Sequence, residues 1–196
     1  MHILKRSAVL LLLAAIALAV RGRIARTNAA DSEDITWGAI DPTWSPDSRA
    51  LAFSLFGSIW RVPAEGGEAE QITTSPRYHA HPAWSPKGDR IAFVARTAAG
   101  FDIYVCRANG ADTRLVVSGG SNENPRWSPD GRHLLFASNR DSVPSLYVTD
   151  LDDRAPRRLD TGGLRAQSPA WSPRPPSAGP AVNLNLEDAK RGGGNR

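Results

Sequence analysis

Short runs of alternating apolar positions recur along the chain and predict β-strands. Three tryptophans, Trp44, Trp84 and Trp127, are each followed by an aliphatic residue seven positions later and a phenylalanine nine positions later. These pairs are Leu51 and Phe53, Ile91 and Phe93, and Leu134 and Phe136. The residue between each pair is also apolar, so both faces of this strand are predicted to be covered. Further apolar groups follow at 59–62, 103–105 and 146–148, and then at 71–73, 114–116 and 158–160. Each unit thus predicts four short strands, and no segment beyond the first thirty residues shows convincing helical periodicity.

The tripeptide Trp-Ser-Pro sets the period of these units. It begins at Trp44, Trp84, Trp127 and Trp171, with spacings of 40, 43 and 44 residues, and a proline lies two residues before each tryptophan. In the first three copies it continues as Ser-Pro-Asp-Ser, Ser-Pro-Lys-Gly and Ser-Pro-Asp-Gly. Proline presets the second position of a turn and glycine accepts positive φ, so the tryptophan and phenylalanine segments are predicted to be adjacent antiparallel strands. A period of this length indicates repeated architecture.

The repeat predicts how its sheets pack. One sheet of four strands with two apolar faces is not stable alone, and stacking the sheets radially covers both faces, which is the arrangement of a β-propeller. The tryptophan and phenylalanine rings are then predicted to be core between neighbouring blades. The predicted fold class is all-β: a partial β-propeller of about three four-stranded antiparallel blades, at 39–75, 80–118 and 122–162, plus a truncated fourth at 167–173.

The fourth unit stops at its turn, where Arg174-Pro175-Pro176 replaces Asp-Gly and proline cannot adopt positive φ. The tail at 174–196 is rich in proline, glycine and charge and is predicted to be disordered. Three blades leave two apolar end faces that something must cover. Two hypotheses remain open: two copies pair into a six-bladed ring, or the chain is a piece of a longer propeller.

At this point the repeat resembles a known family. The segment 124–132, Asn-Pro-Arg-Trp-Ser-Pro-Asp-Gly-Arg, is similar to the WD-like (PD-type) propeller repeat of the periplasmic TolB family, and the resemblance extends over about residues 34–173. It implies a non-catalytic, exported scaffold for protein–protein contact in the bacterial cell envelope. The same repeat occurs in propellers attached to prolyl oligopeptidase-like peptidases. The alternative is therefore a propeller fragment of such an enzyme, with its catalytic domain outside this sequence.

The charge distribution argues against a nucleic-acid binder. The 196 residues carry a net charge of +4, but five basic and no acidic residues lie in the first thirty. The remainder holds 19 Lys and Arg against 20 Asp and Glu, so the repeats lack the basic surplus that binding to phosphates requires.

Residues 1–30 predict an export signal. Lys5 and Arg6 precede an apolar run at 8–20, which is shorter than the roughly 20 residues that span a bilayer. A cleaved leader and a periplasmic or secreted protein are therefore expected. The alternative is an uncleaved anchor in the inner membrane, favoured by Arg21, Arg23 and Arg26 after the run.

The sequence contains no motif for catalysis or for a cofactor. A nucleophile elbow, a phosphate-binding loop and a zinc-type cysteine pair are all missing from it, so no enzyme activity, cofactor or metal is predicted. The single cysteine, Cys106, is expected to be a buried strand residue. The alternation His79-Ala80-His81 would place two imidazoles on one strand face as metal ligands, and the acidic run 150–153 would suit calcium. Polar channel or turn residues are the preferred interpretations of both.

The candidate site residues stand three positions before each tryptophan. They are all polar, and they are Asp41, His81, Asn124 and Ser168. Because the innermost strand of each blade begins here, they are predicted to gather at one mouth of the central channel and contact a protein or peptide partner. The alternative is that they cap the start of the strand or bond neighbouring loops.

Overall fold

The computed structural model describes residues 39–151, 155–161 and 165–171, so the predicted leader and tail lie outside the described residues. Twelve β-strands are present in the described part: β1 Ile40–Trp44, β2 Ala50–Leu55, β3 Ser58–Pro63, β4 Glu70–Gln71, β5 His79–Trp84, β6 Arg90–Thr97, β7 Gly100–Arg107, β8 Arg114–Val117, β9 Asn122–Trp127, β10 His133–Ser138, β11 Ser145–Asp150 and β12 Arg157–Arg158. Among these residues, no helix has the length and apolar character needed to cross a membrane.

The strands form three sheets that follow the chain order. Strands β1 to β4, β5 to β8 and β9 to β12 each make one four-stranded antiparallel sheet, or blade. The register of each central hairpin sets two aromatic rings opposite one another: Phe53 and Trp60, Phe93 and Tyr104, and Phe136 and Tyr147. The predicted fold class, an all-β partial propeller of three four-stranded blades, is confirmed.

The turn after each tryptophan shows why its sequence recurs. In the third blade the Ser128 hydroxyl donates to Asp130 Oδ1 (2.5 Å) and accepts a backbone N–H from the start of β10 (2.9 Å). The first blade has the same arrangement. In the second blade Lys87 stands where the aspartate would be, and Asp89 instead accepts the bond from Ser85 (2.7 Å). The turn is therefore held by a serine–aspartate pair in all three blades, although the aspartate changes position.

Apolar side chains between the blades make the core. Five of the side chains shared by the first and second blades are Ile59, Ile72, Ile91, Phe93 and Cys106. Five of those shared by the second and third blades are Val94, Val105, Trp127, Leu134 and Phe136. Burial of each large side chain contributes on the order of 2 kcal/mol, so the blades are stabilised mainly by one another.

The tryptophans also join the blades through hydrogen bonds. Three tryptophans of the Trp-Ser-Pro series donate their indole N–H to the carbonyl of the residue just before the tryptophan of the preceding blade: Trp84 to Thr43 (3.2 Å), Trp127 to Ala83 (3.0 Å) and Trp171 to Arg126 (3.0 Å). We call these the interblade indole bonds. Trp44, which begins the series, is 43 % exposed.

Apolar side chains near both ends of the arc are buried within this chain. On the third blade, Ala166 and Trp171 pack against the cluster that contains Leu135 and Leu146, so the segment 165–171 supplies part of the cover that the sequence analysis requires. Within that segment, the predicted truncated fourth unit makes a single β-bridge, at Trp171. On the first blade Phe53 is fully buried as well.

Candidate partner-contact site

The first strand of every blade contains the same local distortion. The pairing of β1, β5 and β9 with the next strand shifts register, as at a β-bulge. At this point Asp41, His81 and Asn124 have φ values of 53°, 51° and 53°. Asp, His and Asn are the residues other than glycine that most often adopt this left-handed conformation. The bulge therefore gives a backbone reason for the residue types that the sequence analysis selected.

The same bulges bring three of the four candidate residues together. Asp41, His81 and Asn124 line a cavity of about 380 Å³, which we call the mouth cavity. Its remaining walls come from the same three first strands and the turn after β1: Pro42, Thr43, Trp44, Pro46, Pro82, Ala83, Trp84, Arg126 and Trp127. Ser168 is exposed and is not among the residues that line the cavity.

Hydrogen bonds and charges within the mouth cavity link different blades. His81 Nε2 lies 3.6 Å from Asp41 Oδ2, which joins the second blade to the first. The side-chain amide of Asn124 donates to the carbonyl of Gln167 (3.0 Å), next to Ser168. His81 Nδ1 is buried and has no hydrogen-bond partner among the described residues. The His81 side chain is 29 % exposed, so the surface that a partner can reach lies elsewhere on the side chain.

Sequence reasoning missed Arg126 as a member of this site. The residue lies two positions after Asn124 on β9 and lines the mouth cavity with it. The bulge at Asn124 breaks the regular strand alternation, so spacing along the chain gave no signal that Arg126 would line the cavity. The cavity therefore combines a carboxylate, an imidazole, an amide and a guanidinium.

The two histidines of His79-Ala80-His81 occupy different sites. His81 lines the mouth cavity, whereas His79 is buried between blades, with Nδ1 hydrogen-bonded to Thr73 Oγ1 (2.8 Å). The positive φ at His81 interrupts the regular alternation that would have aligned the two rings. In the described part of the chain, no three His, Cys, Asp or Glu side chains are grouped closely enough to hold a metal ion.

The sequence of this chain matches a known protein family. The family model of the TolB beta propeller domain matches residues 22–175, which is most of the chain. The chain belongs to the TolB beta propeller domain family.

Individual relatives of this TolB-family chain cover parts of it. It is 33 % identical over 106 residues to the Tol-Pal system protein TolB of Gluconobacter oxydans, a match that covers 49 % of this chain and 22 % of the relative. It is 37 % identical over 68 residues to the uncharacterized peptidase YuxL of Bacillus subtilis, covering 32 % of this chain and 10 % of the relative. The solved structure of a putative TolB from Agrobacterium tumefaciens superposes with a TM-score of 0.61 at 27 % identity, covering 71 % of this chain and 52 % of that one. The chain thus spans about half of that structure and a smaller share of both curated relatives.

Proposed function

We propose that this TolB-family chain is an exported, non-catalytic propeller module that contacts a protein or peptide partner at the mouth cavity. The observation that carries the proposal is the convergence of Asp41, His81 and Asn124, from three blades, on one cavity. Such a module acts by presenting fixed polar groups on a packed scaffold, without making or breaking bonds.

The chemistry of the mouth cavity suits an extended peptide. Its polar lining includes the Asp41 carboxylate, the Asn124 amide and the Arg126 guanidinium, which can accept from and donate to the N–H and C=O groups of a backbone. Proline and tryptophan side chains flank these groups and give apolar contact area. The cavity therefore combines polar groups with an apolar surround, as peptide-binding surfaces do.

Family membership supports a location in the cell envelope. The Gluconobacter relative is a Tol-Pal system protein. We propose a periplasmic or secreted location, with residues 1–30 as a signal peptide; retention of these residues as an inner-membrane anchor is the alternative. Mass spectrometry of the purified mature protein distinguishes the two, because only the anchored form keeps the residues of the apolar run.

Glycine substitutions test the site without disturbing the bulges. Replacing Asp41, His81 and Asn124 together by glycine removes the side chains and keeps residues that accept positive φ. The matched control replaces Asp112 and Ser142, which are exposed and also have positive φ (55° and 69°), by glycine. Proteins captured by cross-linking in the periplasm of the native host are identified for each form, with thermal melts to show that all are folded.

We expect the mouth variant to lose specific captured partners that the wild type and the control retain. Equal capture by folded mouth and control variants would refute the partner-contact assignment.

The second candidate function is the propeller of a peptidase. The 37 % identity to YuxL over 68 residues favours it. The mass of the native polypeptide separates the two functions, because the peptidase interpretation requires a product well above 21.1 kDa that carries a hydrolase domain.

Pairing of two copies into a six-bladed ring remains a prediction. Its physical basis is that three blades leave two end faces, which a second copy could cover. Size-exclusion chromatography with light scattering tests it: a mass of two chains supports the ring, and a well-folded monomer at low concentration rejects it.

A further inference from the structure

A second cavity lies at the junction of the first and second blades. Its volume is about 320 Å³, and we call it the junction cavity. It is lined by residues from the end of the first blade and from three strands and a turn of the second: Ile72, Thr73, Thr74, Ser75, Arg77, His79, Phe93, Ala95, Tyr104, Gly110 and Thr113. None of these residues lines the mouth cavity. The volume is at the lower end of the roughly 300 to 1,000 Å³ that small-molecule sites occupy.

Aromatic rings form one wall of the junction cavity. Phe93 and Tyr104 stack with their centroids 5.9 Å apart and an interplanar angle of 19°. The His79 ring meets Phe93 edge-on, with centroids 5.2 Å apart. Ile72 and Ala95 add aliphatic surface. This wall suits the apolar, ring-sized part of a ligand.

The polar groups of the junction cavity are donors without an accompanying carboxylate. Arg77 Nη1 donates to the Tyr104 hydroxyl (3.2 Å), which places the guanidinium beside the aromatic wall. Hydroxyl groups come from Thr73, Thr74, Ser75 and Thr113, and none of the lining residues is Asp or Glu. A guanidinium uses five N–H donors and pairs with carboxylates in a bidentate manner, so the cavity is suited to an anion.

His79 is neutral at pH 7, so Arg77 is the only residue lining the junction cavity whose side chain is charged at that pH. His79 is 3 % exposed, and its Nδ1 bonds Thr73 Oγ1, which also accepts the backbone N–H of Ile59. Burial, and next the positive charge of Arg77, lower the pKa of His79 to about 4. The ring is therefore a neutral polar wall, and one positive charge faces the cavity.

The third blade shows how the repeat fills the equivalent space. There Arg140 lies over Phe136 and Tyr147, 5.6 and 5.0 Å from the ring centroids, and bonds the Asn122 side chain (2.8 Å). Asp141 accepts the Tyr147 hydroxyl and supplies a carboxylate beside that arginine. Asn122 stands five residues before its tryptophan, as His79 does in the second blade.

The second blade differs at this position. The turn between β6 and β7, residues 97–100, is Thr-Ala-Ala-Gly and supplies neither an arginine nor an aspartate. Phe93 is 1 % exposed, so half-buried Tyr104 supplies the accessible aromatic surface of the cavity, and no lining residue offers a carboxylate to Arg77. At this position the second blade thus has a guanidinium, from Arg77, and aromatic rings, but it lacks a carboxylate equivalent to that of Asp141 in the third blade.

We propose that the junction cavity binds a small carboxylate-bearing ligand, with the carboxylate on Arg77 and an apolar ring against the half-buried ring of Tyr104. The carboxylate comes either from a free aromatic acid or from the C-terminus of a peptide that ends in an aromatic residue. This inference does not depend on the mouth cavity, and its test uses different residues.

Calorimetric titration of the whole chain with sodium benzoate tests the charge requirement, with benzamide as the neutral analogue of the same shape. We expect saturable binding of benzoate, and binding of benzamide weaker by about tenfold or more, since a charge-assisted pair is lost. Arg77→Gln is expected to weaken benzoate binding to a similar extent. Arg132→Gln, which removes an exposed arginine of the third blade, is the matched control and is expected to change it less than about twofold.

A second arm distinguishes the two sources of the carboxylate. A tetrapeptide ending in phenylalanine is titrated with a free and with an amidated C-terminus. Tighter binding of the free peptide than of benzoate supports the peptide C-terminus, and tighter binding of benzoate supports a free acid. Failure of both ligands to saturate, equal binding of the charged and neutral forms, or an Arg77→Gln variant that binds like the control overturns the proposal.

Discussion

The interblade indole bonds give a quantitative prediction at Trp127. Its ring is 8 % exposed, packs between the second and third blades, and donates to the Ala83 carbonyl at 3.0 Å. Trp127→Phe removes that bond, which costs about 1 kcal/mol, and leaves a small cavity that costs about 1 kcal/mol more. The expected loss in the free energy of unfolding is therefore about 2 kcal/mol, or a decrease in Tm of about 6 °C for a domain of this size.

The matched control is Trp44→Phe. Trp44 stands at the same position of the repeat, but it is 43 % exposed and donates to no preceding blade among the described residues. We expect its substitution to change the stability by less than about 0.5 kcal/mol. Urea unfolding followed by far-ultraviolet circular dichroism measures both variants without relying on tryptophan emission. Equal losses for Trp44→Phe and Trp127→Phe would refute the reasoning, since the bond and the burial would then be irrelevant.

Two further predictions concern buried titratable groups. Burial raises the pKa of the Cys106 thiol to about 11. Cys106 should therefore not react with a thiol reagent at pH 8 while the protein is folded, and should react readily in urea. Fast reaction of the native protein would contradict the burial of this thiol. His79 has a folded-state pKa of about 4, below its ordinary 6.5, so the unfolded state binds the extra proton and stability falls as the pH drops from about 6.5 to 4. This pH-dependent contribution to stability is about 3 kcal/mol at most. It should be absent in the variant His79→Asn, which has the side chain of Asn122 in the third blade. Parallel stability–pH profiles of the wild type and the variant would show that the His79 prediction is wrong.

The regular part of the fold follows from local signals in the sequence. The Trp-Ser-Pro spacing gives the number of units, and the positions of Leu51 and Phe53 and their equivalents give the central strands, because strand alternation and turn chemistry act over a few residues. The position of Asp89 in the second turn was not predicted. In that turn Lys87 stands where the first and third blades have an aspartate, and Asp89, two residues later, accepts the serine hydrogen bond instead. Only the folded turn shows that an aspartate at either position can accept this bond.

The sites depend on contacts between blades, which the sequence pattern does not specify. Asp41, His81 and Asn124 were selected from their common position in the repeat, and the structure brings them together. Ser168 shares that position but lies outside the cavity. The junction cavity could not be predicted, because it arises where Arg140 and its neighbours have no counterpart in the second blade. Such a difference becomes a cavity only when the neighbouring sheets are in place.

The interblade indole bonds all run in one direction, from each tryptophan back to the blade before it. Each unit after the first therefore brings one donor for its predecessor, and each of the three blades offers one carbonyl to the unit that follows it. If one whole unit is gained or lost, each indole N–H still meets the carbonyl of the preceding blade. A deletion whose length is not a whole number of units removes an indole donor or its carbonyl acceptor without the other. The architecture thus favours evolution by copying or removing complete units, with each junction free to acquire its own side chains.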